Sequence, residues 1–194
     1  MIPKKPIFSL FILMVLVQLF VPANMIWNNE DVLRTGKEFK FKTAPIDPND
    51  PFRGKYIFLD FDNTTVEIPQ EHDWKRGRAV YVSIEKDSMG FAVIKSISKK
   101  EPQQARDFIK AEVGFINSYQ ADKVTMNVRY PFERFYMEES KAYDAEITYR
   151  ETRRDTTKTA YALVNIKEGD AVLKDVLIDG VPIAELVNTK LETP

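Results

Sequence analysis

One segment constrains this chain more than any other. Residues 6–27 form an apolar run interrupted only by Ser9, Gln18 and Asn24, with Lys4 and Lys5 just ahead of it. A run of this length is stable in a bilayer or in the channel that exports proteins. A spanning helix needs about 20 mostly apolar residues to cross ~30 Å of hydrocarbon. Trp27 stands where an interfacial aromatic anchor belongs, and Lys4 and Lys5 are expected to stay cytoplasmic, which sends the rest of the chain outward. A cleaved signal peptide is the competing reading, with an apolar region over residues 7–20 and a small-residue site at Val21-Pro22-Ala23. Pro22 beside the scissile bond and the apolar Met25-Ile26-Trp27 speak for a retained anchor. A buried core helix is the third and blandest reading.

The expected organisation follows. Residues 1–27 are a transmembrane anchor or uncleaved signal, 28–36 a polar juxtamembrane connector, and 37–194 one extracytoplasmic β-rich domain. The expected location is the cell membrane, single-pass, with the C-terminal domain outside the cytoplasm, in the periplasm. Hydrophobic residues at 44% and aromatics at 12% suffice for a real core, so disorder is not the default. With 28 basic and 29 acidic side chains there is no net field to hold nucleic acid. The chain has no cysteine, which removes disulfides, thiolate metal sites and cysteine nucleophiles. His72 is its one histidine, which leaves little for histidine metal sites or Ser–His catalysis.

Local patterning predicts a mainly β (α+β) fold: an antiparallel β domain with one late helix, preceded by the N-terminal transmembrane helix. Residues 37–43 alternate charge with Phe39 and Phe41, as a half-buried strand does. Pro45, Pro48 and Pro51 forbid helix or central strand between them. Residues 55–61 read as a central strand buried on both faces, which residues 64–68 extend or join. Residues 78–85 and 91–98 read as a hairpin across 86–90. Residues 108–116 fit helix or strand. Val, Gly and Phe favour the strand, with Ile109, Ala111, Val113 and Phe115 on one face. Residues 124–130 alternate until Pro131, and 132–136 are aromatic. The late helix is expected over 138–153. Residues 159–166 and 171–178 form a hairpin around 167–170, and Asp179-Gly180 turns the chain again.

The run Asp47-Pro48-Asn49-Asp50-Pro51-Phe52-Arg53-Gly54-Lys55-Tyr56-Ile57-Phe58-Leu59-Asp60-Phe61 resembles the bacterial GDYXXLXY family. Gly54, Tyr56 and Leu59 match its named motif; Lys55 replaces the Asp and Phe61 the last Tyr. Leu33-x-x-Gly36, the aromatic segment Tyr130 to Tyr136 and Asp179-Gly180 continue the resemblance. It implies a membrane-associated bacterial protein without an assigned reaction, often encoded beside multi-spanning membrane proteins. Physically, Gly54 permits a positive φ at the start of a strand. Gly54, Tyr56, Leu59 and Phe61 are therefore expected to be structural.

No convincing catalytic, cofactor or metal constellation is legible, and no cofactor is expected. The expected role is a non-enzymatic binding or support module for an integral membrane partner, held to the membrane by its N-terminal helix. One alternative has chemistry behind it. Residues 56–64 resemble the first motif of haloacid-dehalogenase-type phosphatases, an apolar strand followed by Asp60-x-Asp62-x-Thr64. That resemblance implies an Mg²⁺-dependent phosphatase with Asp60 as nucleophile and Asp62 as general acid, and Asp170 and Asp175 echo the distal metal motif. Hairpins in place of alternating strands and helices argue against it. His72 reads as an exposed loop residue, Lys75-Arg76-Gly77-Arg78 as a solvated turn or a lipid or partner contact, and Asn63-Thr64-Thr65 as a glycosylation sequon without meaning in a bacterial chain.

Overall fold

The computed structural model of the protein describes residues 4–43, 56–103, 107–120, 123–136, 147 and 159–186. It opens with one long helix, α1 (Lys4–Thr35). At 1.5 Å per residue its 32 residues span about 48 Å, so it outruns a ~30 Å hydrocarbon layer by roughly twelve residues. Residues 28–35, expected as a connector, continue it without a break. No Gly or Pro interrupts them, and Arg34 pairs with Glu30 one turn back at 2.8 Å. Every residue from Phe8 to Trp27 except the half-buried Val15 is exposed. This is not a core helix.

Among the described residues eleven strands follow, in mostly antiparallel sheets. One sheet has the order β1-β9-β10-β11, built from Lys37–Lys42, Ala160–Lys167, Asp170–Ile178 and Val181–Pro182. The second has the order β3-β7-β6-β4-β5, built from Thr65–Ile68, Lys123–Arg129, Phe108–Gln120, Ala79–Lys86 and Ala92–Ser98. A two-stranded ribbon pairs β2 (Tyr56–Phe58) with β8 (Arg134–Tyr136). A helical turn at residues 183–186 is the short late helix among the described residues. The helix expected over 138–153 lies outside them apart from Ile147, which is helical.

Alternation explains the core. Val80 and Val82 on β4, Ile109 and Val113 on β6, Val124, Met126 and Val128 on β7, and Ala162, Val164 and Ile166 on β9 point into one cluster shared by both large sheets. Phe39 and Phe41 complete it from β1. Isolated bridges join the sheets at Lys40–Phe91 and Ile109–Gly169. Two tight hairpins set the register of the first sheet. Glu168-Gly169 and Asp179-Gly180 both take positive φ, the conformation that matches the right-handed twist of a two-residue hairpin.

Three local expectations are corrected. The strand over 55–61 is only three residues long, sits in the ribbon, and leaves Phe58 47% exposed. The Leu59 N–H carries the ribbon pairing one residue further, donating to the Glu133 carbonyl at 2.7 Å, and the chain then leaves β8, so that Phe61 bridges to Thr43 instead. Residues 64–68 pair with β7, not with β2. Phe115 does not join Ile109, Ala111 and Val113 in the core. The β6–β7 register shifts between Val113 and Ile116, which reverses the face and leaves Phe115 58% exposed under the Arg76 guanidinium, 4.3 Å from its ring centroid.

Leu59 and Phe61 are both buried, so truncation there removes core contacts. Leu59→Ala is expected to cost about 2–5 kcal/mol and Phe61→Ala about 3–5 kcal/mol. The exposed Met89→Ala is expected to stay within about 0.5 kcal/mol. Urea unfolding of the full chain in micelles measures all three.

Candidate functional site at the helix–sheet joint and the aromatic corner

The last turn of α1 is built into the first sheet. Val32 is buried, and Asn165 on β9 donates from Nδ2 to the Leu33 carbonyl at 2.7 Å. That carbonyl belongs to the last turn, where no intrahelical N–H is available to it. Lys167 Nζ donates to Asp31 Oδ2 at 2.6 Å and to Thr35 Oγ1 at 2.8 Å. The chain then turns through Gly36, whose N–H donates to the Val32 carbonyl at 2.9 Å. A Cβ at Gly36 would stand 2.4 Å from that carbonyl oxygen and 3.1 Å from the Ile166 carbonyl. Only a glycine lets helix and sheet backbones approach this closely. β1 starts at once, with Lys37 opposite Ile166. Lys174–Glu38 at 2.8 Å and Lys37–Asp107 add exposed ion pairs around the joint.

Phe61, the last residue of the family-like motif, joins an aromatic corner beside β1. Phe41, Phe61, Tyr130 and Phe132 make a quartet in which every pair of rings is in contact, with centroids 5.1–5.9 Å apart. Five of the six contacts are edge-on. Tyr130 and Phe132 stack at 9°. Such geometries suit the ring quadrupoles. The buried Tyr130 hydroxyl donates to the Asn63 carbonyl at 3.1 Å, and burial pushes its pKa above the ordinary phenol value.

On the outer side of this corner Tyr130, Pro131, Glu133, Arg134 and Tyr136 line a shallow groove of about 280 Å³. Glu133 is half-buried. Burial raises its pKa, Arg129 opposes that, and Asp60 adds to it. The aromatic segment thus divides its work: Tyr130 and Phe132 turn inward, while Pro131, Arg134 and Tyr136 face the groove.

The residues singled out from sequence do not converge. Leu59 and Phe61 lie in the core; Tyr56 opens β2 opposite Tyr136; Gly54 is outside the described residues. Asp60 is exposed and its Oδ1 accepts the Phe61 N–H at 3.0 Å. Asp62 pairs with Lys42 at 3.5 Å. Asp170 begins β10 and Asp175 accepts the Val176 N–H at 2.7 Å, both in the other sheet. Antiparallel hairpins carrying scattered acids lend the phosphatase reading no support. Among the described residues no three His, Asp or Glu side chains gather as a metal site. His72 is half-buried, and Arg76 is taken up by Phe115.

Sequence reading missed Asn165, Lys167 and Asp31. One signal was available: Asn165 is an amide inside the apolar strand Leu163-Val164-Asn165-Ile166. A polar residue there needs a partner, but the partner is 132 positions away.

A family model described as GDYXXLXY protein matches residues 18–176. No curated protein and no solved structure matches the chain.

Gly36→Ala forces the new Cβ against backbone and is expected to cost about 1–3 kcal/mol. Asn165→Ala, which strands the Leu33 carbonyl, is expected to cost a similar ~1–3 kcal/mol. Both are read by urea unfolding. At Glu133 the folded state holds its proton more tightly than the unfolded chain does. Its contribution is therefore present below the unfolded pKa and lost as pH rises through the folded pKa. Glu133→Gln should raise the melting temperature at pH 7, and this gain should shrink as pH falls toward 4.

Proposed function

The chain belongs to the GDYXXLXY family, and from that premise we propose a tethered binding module. Residues 1–27 anchor it in a bacterial membrane as a single pass. Residues 28–36 carry the helix to the domain, and residues 37–194 stand outside the cytoplasm, in the periplasm. There the domain binds or supports an integral membrane partner. The carrying observation is α1: one helix, long and apolar enough to cross a membrane, exposed along its apolar length and built at its last turn into the sheet. Exposed apolar surface of that extent is stable in lipid and not in water. Lys4 and Lys5 support the outward orientation of the domain. Gly54, Tyr56, Leu59 and Phe61 serve the fold in this reading, because Leu59 and Phe61 fill the core and the aromatic quartet. No chemical step is assigned.

A reporter fused after Pro194 is expected to be active only outside the cytoplasm, and alkaline carbonate is expected to leave the intact chain in the membrane pellet. Release of a soluble protein whose N-terminus is Asn24 would replace the anchor with a cleaved signal.

A further inference from the structure

We infer that Gln18 and Pro22 form a hydrogen-bonding notch near the middle of the bilayer that docks a membrane-spanning helix of a different protein through a donor side chain. This rests on the anchor reading above. Gln18 lies twelve positions after Pro6 and nine before Trp27, near the centre of the apolar run. Its side chain is exposed, and no hydrogen bond joins it to another described residue. A primary amide in hydrocarbon carries a desolvation cost that only a partner removes.

Pro22 makes the position more polar still. It lies inside the helix four residues after Gln18. Proline has no N–H, so the Gln18 carbonyl loses its normal α-helical donor. One spot on the helix therefore presents an amide, which donates and accepts, and a carbonyl without its usual helical donor, which only accepts. In lipid such a carbonyl is satisfied by a side chain of a neighbouring helix. The partner chemistry follows: a membrane-spanning helix with a Ser, Thr, Asn or Gln at mid-depth. The surrounding face suits close but adaptable packing, since Met14 and Val21 flank Gln18 at spacings of four and three, and Phe11 and Met25 at spacings of seven.

The joint argues for a different protein over a second copy. Val32 follows Gln18 by fourteen residues, so at 100° per residue the two share a face to within about 40°. Val32 is the residue that packs on the domain. A helix docked at Gln18 thus lies on the domain's side of α1. A second copy in parallel would bring its own domain into the space already filled by the first. A partner that ends near the membrane surface, or spans it repeatedly, fits beneath.

The test is site-specific photo-crosslinking of the full chain in its native membranes. Probes at Met14 and Met25, on the Gln18 face, are expected to give an adduct; probes at Leu16 and Phe20, on the opposite face, are not. The linked peptide should come from a membrane-spanning segment of another protein and carry one of the four donor residues near the link. Gln18→Leu should lower the adduct roughly tenfold, the scale of one interhelical hydrogen bond, and Pro22→Ala should lower it too. Gln18→Asn should retain it. All variants should stay in the carbonate pellet. A link to a second copy, equal yield from both faces, or an adduct indifferent to Gln18→Leu overturns the proposal while leaving the anchor intact. Release of the wild-type chain from the pellet overturns the anchor reading itself.

Discussion

The grip of β9 on the last turn of α1 decides what kind of object this protein is. A helix exposed on all sides along its apolar length has no place of its own in a soluble fold. Here its end is held by a buried amide, a lysine shared between two helix side chains, and a glycine too small to keep the backbones apart. A helix joined to a domain through an extended linker would leave the domain free to tumble. This one carries the helix axis directly into the sheet. Roughly eight residues, or about 12 Å of helix, separate Trp27 from Thr35, so the domain is held close to the interface where Trp27 would sit.

The sheets depend on that start. β1 leaves Gly36 already paired with β9, and it delivers Phe39 and Phe41 to the core in consecutive inward positions. Phe41 then meets three rings from two other segments. The quartet ties β1, the motif residue Phe61 and the Tyr130–Phe132 corner into one contact set. The shift from Tyr to Phe at position 61 fits this setting. A phenol oxygen among four packed rings would need a donor or acceptor of its own, and Tyr130 already takes the Asn63 carbonyl. The groove on the outer side of the corner is open and lined by one partly buried acid. That arrangement resembles the back of a packed corner more than a reaction site.

Much of the fold was legible because its signals are local. The hairpins of β4–β5 and β9–β10 join neighbouring stretches of chain, and the turns and alternation of each fall within one continuous stretch, residues 79–98 and 160–178. Val80, Val82 and Ile84 fixed their own face. The failures were non-local. Phe115 continues a perfect alternation from Ile109, yet a register shift against β7 turns it outward. Residues 55–61 look like a central strand because they are apolar throughout. Their partners are a three-residue strand, the Glu133 carbonyl and Thr43, and none of these is visible from the segment itself. The candidate site was half legible: the apolar N-terminal helix and the motif stood out, whereas the residues that hold the end of that helix did not.

By itself the sequence determined the long apolar N-terminal segment, the absence of cysteine chemistry, the strand-rich domain and the likeness of its motif to a family. Each of these depends on residue type and short-range spacing, which the chain carries wherever it folds. Only the tertiary structure decided that Asn165 caps the helix, that Gly36 must be small, that Phe115 faces out, and that Gln18 and the domain share one side of α1. Those outcomes depend on which distant backbone comes within hydrogen-bonding reach. Register and helix phase settle that only after the sheets have paired.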